Sequence, residues 1–275
     1  MDTFIVRKQW SIIRVEKLQQ SFLLISNLDV KTMRDKIAII TDIHGNSSAL
    51  KAVLNHIDQD TDIKHIYCLG DLIAIGHETN EVLEMLFSRK DISFVKGNHD
   101  EDILNTLAGQ ESTGIQNKIE HHDWIASRIE REFLPALASI PMTRYETING
   151  KNFLFVHYHL NVEEKFLPID ERPTALELDT LYGDSNIDVV CFGHHHIVHH
   201  FKSKKRLYIN PGSLGCNHSP LAPYATLKVG NSGQIDVSFI EVPYDNKEFL
   251  LAYEQLNVPA KDFILKVFHG NQHFR

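Results

Sequence analysis

Aspartate, asparagine and histidine gather at five points along this chain, each directly after a short apolar run. Ile37 to Ile40 leads into Asp42-Ile43-His44-Gly45-Asn46, and Ile63 to Leu69 leads into Gly70-Asp71. Ile92 to Val95 leads into Gly97-Asn98-His99-Asp100, while Asn152 to Val156 ends at His157. Asp188 to Phe192 ends in Gly193-His194-His195-His196. Imidazole nitrogens together with carboxylate and amide oxygens suit first-row transition metals such as manganese, iron, zinc, cobalt or nickel. Two ions ~3.5–4 Å apart need a carboxylate that can bridge them, and they share a water whose pKa falls toward neutrality. That hydroxide can attack phosphorus in line, with the metals and one or two protein donors stabilising charge on the equatorial oxygens.

Taken singly, each cluster has an ordinary explanation. An aspartate after a strand usually caps the next helix. A lone histidine near a sheet is more often a hydrogen-bonded core group, and a histidine run can be a solvated loop. All five ordinary explanations would have to hold together. Glycine beside four of the five clusters points the other way, because it permits tight turns and close backbone approach to a ligand.

The elements that must position these residues follow from the pattern of apolar residues. Ile37–Ile40, Ile63–Leu69 and Ile92–Val95 read as buried strands, and Ser47–Ile57 and Asn80–Phe87 between them repeat at helical spacing. That alternation predicts βαβ units and a sheet covered by helices. A charged helical stretch runs roughly from Asn117 to Leu134 and ends near Pro135. Arg144–Ile148 and Asn152–Val156 flank Asn149-Gly150, a type I′ hairpin signal. Asp188–Phe192, Leu207–Ile209, Ala225–Val229 and Gln234–Ile240 read as further strands, and Phe249–Leu256 and Phe263–Val267 as helices. In open α/β sheets ligands sit just past the carboxyl ends of strands, where the polar clusters fall.

Residues 1–32 carry apolar residues without a clear period, and the regular pattern starts at Met33. The expectation is an N-terminal extension, 1–32, outside the fold, with a surface-docked helix as the alternative. Residues 33–275 then form one domain with a helical insertion around 101–141. The chain of 275 residues is 43% hydrophobic and carries a net charge of −8, so it can bury a core but lacks the basic face that captures nucleic acid. Cys68, Cys191 and Cys216 have no paired spacing and read as buried free thiols of a reducing compartment. No apolar run approaches the ~20 residues of a membrane span. A cytoplasmic protein without a membrane partner is expected.

The ordered series Asp42-x-His44, Gly70-Asp71, Gly97-Asn98-His99-Asp100, His157 and Gly193-His194-x-His196 resembles the calcineurin-like metallophosphoesterase superfamily. The resemblance runs from about Ile37 to Ser213, and Asn210-Pro211-Gly212-Ser213 is similar to its small bacterial and archaeal branch of phosphodiesterases and nucleotide hydrolases. It implies a four-layer α-β-β-α sandwich, two mixed sheets flanked by helices. It also implies that Asp42, His44 and His196 hold one metal, that Asn98, His157 and His194 hold a second, and that Asp71 bridges both. Manganese or iron is favoured. His99 would stabilise the phosphoryl oxygens or protonate the leaving group, and Asp100 would orient a neighbour or cap a helix.

The resemblance implies hydrolysis of small phosphodiesters or nucleoside polyphosphates, diadenosine tetraphosphate among them. A phosphoprotein phosphatase, or a metal-bearing scaffold without turnover, is the alternative. A retired enzyme would have lost a ligand or the His99 equivalent, and none is missing. Where the family often has glycine, Tyr158-His159 follows His157, so Tyr158 could narrow the site or stack on a base, or simply pack. His77, in the loop after Gly70-Asp71, is a candidate phosphate contact. His195 is expected to face away from the metals, His121-His122 to lie on a solvated helix face, and His199-His200 on a surface strand. Lys202 to Arg206 reads as a hairpin tip.

Overall fold

The structure, a computed structural model, describes residues 36–110, 116–170, 172–230 and 233–272. The proposed extension 1–32 lies outside the described residues. In chain order the elements are β1 (Lys36–Ile40), α1 (Ser47–Gln59), β2 (Ile63–Cys68), α2 (Thr79–Phe87), β3 (Ile92–Phe94) and α3 (Asn98–Leu107). There follow α4 (Gln116–Ala126), α5 (Leu134–Ser139), β4 (Thr143–Ile148), β5 (Lys151–Val156), α6 (Ala175–Tyr182) and β6 (Val189–Cys191). The chain continues through β7 (Val198–Lys202), β8 (Leu207–Pro211), β9 (Leu221–Val229), β10 (Ile235–Pro243), α7 (Lys247–Gln255) and α8 (Lys261–Val267).

The strands form two mixed five-stranded sheets, ordered β10-β9-β1-β2-β3 and β4-β5-β6-β8-β7. β1, β2 and β3 are mutually parallel, as are β5, β6 and β8, while β9 and β10 run antiparallel at one edge and β4 and β7 close the other sheet. Because side chains alternate along a strand, β1 serves two cores. Ile37 and Ile39 enter the layer between the sheets with Tyr67, Phe155, Val189, Cys191 and Ile209. Ala38 and Ile40 enter the layer under α1 and α2. Across the inter-sheet layer Tyr67 stacks on Phe155, ring centroids 3.9 Å apart and ring planes nearly parallel. The far face of the second sheet is covered by α6 through Leu178 and Tyr182. Helix, sheet, sheet, helix is the four-layer sandwich that the motif series implied.

α1 buries Ala49, Leu50, Val53, Leu54 and Ile57 on one stripe, and Asn46 caps it by accepting the Ala49 N–H at 3.0 Å. Asn149 and Gly150 take positive φ, as the type I′ turn requires, and join β4 to β5 in register from Thr143–Val156 to Ile148–Lys151. The charged helical stretch is shorter than its pattern suggested. α4 stops at Ala126, and Pro135 enters the first turn of a separate helix, α5, instead of ending a long one. Proline is tolerated there because the first turn leaves its N–H unbonded anyway. All three cysteines are buried free thiols. Among the described residues, no helix is long and apolar enough to cross a membrane.

Candidate metal centre

The polar clusters converge at the carboxyl ends of β1, β2, β5 and β6 and at the start of α3. Backbone bonds lock the loops together. Asp42 N–H donates to the Gly70 carbonyl at 3.1 Å, His44 N–H to Asp71 at 3.0 Å and Gly193 N–H to His157 at 2.8 Å. Asn210 and Ser213 act from behind. Asn210 Nδ2 donates to the Gly193 carbonyl at 2.7 Å, and Ser213 Oγ donates to the Asp42 carbonyl at 2.8 Å. The Asn210-Pro211-Gly212-Ser213 motif therefore fixes two of the five site loops.

Asp42, His44, Asp71, His194 and His196 all have positive φ, between 49° and 70°. For residues with a Cβ the left-handed region costs about 1–2 kcal/mol each, and such residues collect where geometry serves function. The surrounding core must supply that energy. Its fully buried isoleucines and phenylalanines are worth roughly 1.5–3 kcal/mol apiece relative to exposure, and Ile37, Ile39, Ile40, Ile43, Phe155 and Phe192 all qualify.

Two donor groups meet across Asp71. In the first, His44 Nε2 and His196 Nε2 are 3.0 Å apart, and Asp42 Oδ1 lies 3.7 Å from the former and 3.4 Å from the latter. In the second, His157 Nε2 lies 3.0 Å from Asn98 Oδ1 and 3.2 Å from His194 Nδ1. Asp71 Oδ2 faces both groups, 3.6 Å from His44 Nε2 and 3.3 Å from His157 Nε2. His157 Nδ1 donates to the Leu69 carbonyl at 2.7 Å, which turns Nε2 toward the site. A single N–H at Nε2 cannot serve Asn98, His194 and Asp71 together. A cation among these lone pairs can, so the donor set fits a metal at each group. Cys216 also lies within ligand reach of His44 and His196, although burial pushes its thiol well above the usual range. Sequence reasoning did not single it out, because a lone cysteine carries no spacing signal.

Electrostatics follow the geometry. Burial acts most strongly on Asp71 and would raise it, yet the surrounding histidines, His157 foremost, hold its carboxyl well below the usual range. Burial likewise opposes charge on His157, but Asp71 and Asp42 outweigh it and lift His157 to about 9. Burial, then the charge of His157, pulls His194 down to about 4. Burial also holds His99 well below the ordinary histidine range.

Asp100 both caps and anchors. Its Oδ2 accepts the Gly97 N–H at 3.0 Å at the start of α3, and its Oδ1 accepts the Leu72 N–H at 2.9 Å in the loop that carries Asp71. Burial and the charge of Asp71 push it up to about 7. His99 stands beside the first group, its ring edge-on to His44 with centroids 5.3 Å apart.

Other expected site residues are placed elsewhere. His77 is engaged by the C-terminal helices, its Nε2 donating to the Phe249 carbonyl at 2.8 Å while its ring stacks on Phe249. Tyr158 is only 2% exposed. Its hydroxyl accepts the Asp170 N–H and its ring packs on His194 and His159, so no face is left to stack on a base. His195 pairs instead with His199, Nδ1 to Nε2 at 2.9 Å.

His121 and His122 correct the expectation of a solvated face, being 5% and 3% exposed. α4 packs them against α3 and the C-terminal segment, where His121 Nδ1 donates to the Pro259 carbonyl and His122 reaches His99. Of the surface-strand pair His199-His200 only His200 is exposed, because His199 stacks on Phe192. Lys202 to Arg206 forms the expected hairpin tip between β7 and β8, but Arg206 itself is buried. Its guanidinium is buried on the carbonyls of Gly183, Ser185 and Ile187. Sequence reasoning also missed Phe268, after α8, whose ring lies 5.7 Å from that of His196.

Residues 36–232 match the calcineurin-like phosphoesterase superfamily domain. An uncharacterized protein of Methanocaldococcus jannaschii is 32% identical over 244 residues, 82% of this chain and 93% of that one. The symmetrical bis(5'-nucleosyl)-tetraphosphatase of Coxiella burnetii is 30% identical over 145 residues, which span 50% of this chain and 48% of that enzyme. Among solved structures, a hypothetical protein of Pyrococcus horikoshii superposes with TM-score 0.70 at 18% identity, covering 86% of this chain and 98% of the other. A metallophosphoesterase of Sphaerobacter thermophilus gives TM-score 0.63 at 21% identity, covering 86% and 100%. Both structures share the fold.

Proposed function

This chain belongs to the calcineurin-like phosphoesterase superfamily, and from that premise we propose that it hydrolyses small phosphodiesters or nucleoside polyphosphates at a two-metal site. Asp42, His44 and His196 would hold one cation, Asn98, His157 and His194 the other, and Asp71 would lie between them. The observation that carries this reading is the double contact of Asp71 Oδ2 with His44 Nε2 and His157 Nε2, at 3.6 and 3.3 Å. Manganese or iron is favoured, since nitrogen and oxygen donors accept either. When bound, two such cations would lower the pKa of a shared water and neutralise charge on the phosphoryl group.

The protein's own residues do the rest. Asp42 and Asp71 fix both groups through the backbone N–H of His194 and of His99, at 2.9 and 2.8 Å. His99, held neutral by burial, presents its Nε2–H as a hydrogen-bond donor to a phosphoryl or departing oxygen. Dinucleotide polyphosphates such as diadenosine tetraphosphate are the first substrates to consider, supported by the likeness to the Coxiella enzyme over about half its length. A cytoplasmic setting accords with three buried free thiols. The test is kcat/KM of the manganese-loaded protein on diadenosine tetraphosphate, a chromogenic diester and a phosphopeptide. Preference for the dinucleotide is expected, and preference for the phosphopeptide would overturn the substrate reading.

A further inference from the structure

A second histidine reaches the site from the helical insertion. His122 on α4 is buried, and its Nε2 lies 3.1 Å from His99 Nδ1, with the rings nearly perpendicular at 83°. The other ring nitrogen of His122, Nδ1, lies 4.0 Å from Asp102 Oδ2, beyond hydrogen-bond distance. That carboxylate is already bonded by Lys118 Nζ at 2.8 Å. Nδ1 of His122 therefore makes no hydrogen bond to Asp102, whereas Nε2 lies within hydrogen-bond distance of His99.

The consequence for His99 is chemical as well as steric. In a neutral imidazole one nitrogen carries the proton and the other accepts, and the partner of one decides the state of the other. A His122 Nε2–H donated to His99 Nδ1 leaves the His99 proton on Nε2. It also stops the ring from rotating about its side-chain bonds. Neither effect requires His122 to touch the substrate.

We propose that His122 is a positioning residue for the hydrolysis: its Nε2–H donates to His99 Nδ1 and so holds His99 as the Nε2–H tautomer aimed at the reacting phosphate. This deepens the phosphoesterase reading and rests on it. It also gives the insertion a task, because α4 places the residue that sets a neighbour's proton. A third cation at His99, His122 and Asp102 is the competing use of the same cluster. The geometry favours the hydrogen bond, since His122 Nε2 and His99 Nδ1 are already at 3.1 Å and Asp102 is bonded by Lys118.

The experiment compares wild type, His122→Phe, His122→Gln, His99→Ala and the double variant His99→Ala/His122→Phe. Phenylalanine keeps the packing volume and removes the donor, while glutamine returns an N–H near the Nε2 position. Expected is a kcat lowered ~10–100-fold in His122→Phe, the range of lost supporting hydrogen bonds, with KM and a content of two cations per chain unchanged. His122→Gln should recover most of the rate, and His122→Phe should cost nothing further in the His99→Ala background. A 15N-histidine spectrum of the zinc-loaded protein should show His99 protonated at Nε2 in wild type and a tautomer mixture in His122→Phe. A wild-type rate in His122→Phe, an equal loss on top of His99→Ala, or a third bound cation lost with His122 would overturn the proposal. So would a wild-type His99 protonated at Nδ1. Wild type that hydrolyses nothing would instead remove the phosphoesterase reading, and the tautomer result would still decide what His122 does to His99.

Discussion

Asp71 Oδ1 accepts the backbone N–H of His99 across 2.8 Å, which leaves Oδ2 to face His44 and His157. One carboxylate thus ties the start of α3 to the loop after β2 and still has an oxygen for both donor groups. Asp71→Asn keeps an acceptor for His99 but replaces Oδ2 or its charge. It should lose most bound metal, measured by mass spectrometry of the purified protein. Activity should fall ~10³-fold or more, as loss of several kcal/mol of charge stabilisation implies. Retained metal with retained turnover would remove Asp71 from the bridging role.

Gly97 is a second dependency of the same carboxylate. A Cβ there would overlap the backbone nitrogen and Oδ1 of Asp71. Gly97→Ala should therefore displace Asp71 and abolish activity. Gly230→Ala, whose Cβ would meet only the Gln234 carbonyl at 3.8 Å, should leave both activity and melting within about 1 kcal/mol of wild type. Equal behaviour of the two variants would show that the close approach at Gly97 does not govern the site.

Asp100 accepts N–H groups from two separate loops while fully buried. Asp100→Ala strands the Gly97 and Leu72 donors, at a cost of about 3 kcal/mol for the pair. For a domain of this size that lowers Tm by roughly 6–12 °C. A calorimetric shift under 2 °C would mean that the loops are held by other bonds.

His157 sets a pH dependence with a definite sign. Its folded pKa is raised from 6.5 to about 9, against the effect of burial, by Asp71 and Asp42. The stability it contributes is complete below pH 6.5 and is lost as pH rises through 9, because only the folded chain still holds the proton in that window. Chelated protein should melt at progressively lower temperature from pH 6.5 to 9. Manganese-loaded protein should show a weaker dependence, since the cation takes the proton's place. A flat profile for the chelated protein would contradict the assigned electrostatics.

Much of the centre is legible in the sequence because a strand's end is a local event. Asp42, Asp71, Asn98, His157 and His194 each follow an apolar run whose length and bounds mark where the sheet stops, and a parallel arrangement brings such ends to one edge. The Asn149-Gly150 hairpin is local in the same sense, whereas the two mixed sheets, which pair strands as distant as β1 and β9, were expected only from the family resemblance. What escaped depends on contacts far apart in the chain. The buried face of α4 carries His121, His122, Ile125 and Ala126. Amid charged neighbours it reads as polar, and only α3 and the Pro259 carbonyl, 138 residues beyond His121, reveal it as buried. His77 finds its partner at Phe249, 172 residues away. The hairpin tip at Lys202 to Arg206 is legible, but the burial of Arg206 rests on the carbonyls of the 183–187 segment, which enclose its guanidinium. Tyr158 could be assigned as packing only once His194 and Asp170 were placed around it.

The most direct test of the two-metal account is hydrolysis of a chromogenic phosphodiester by chelated protein resupplied separately with manganese, iron, zinc and magnesium, with Asp71→Asn in parallel. The account predicts turnover that is absent after chelation, returns with manganese or iron at two bound cations per chain, and stays absent in Asp71→Asn. Two cations bound per chain and no turnover with any metal would contradict it, and would make the centre a binding site without catalysis.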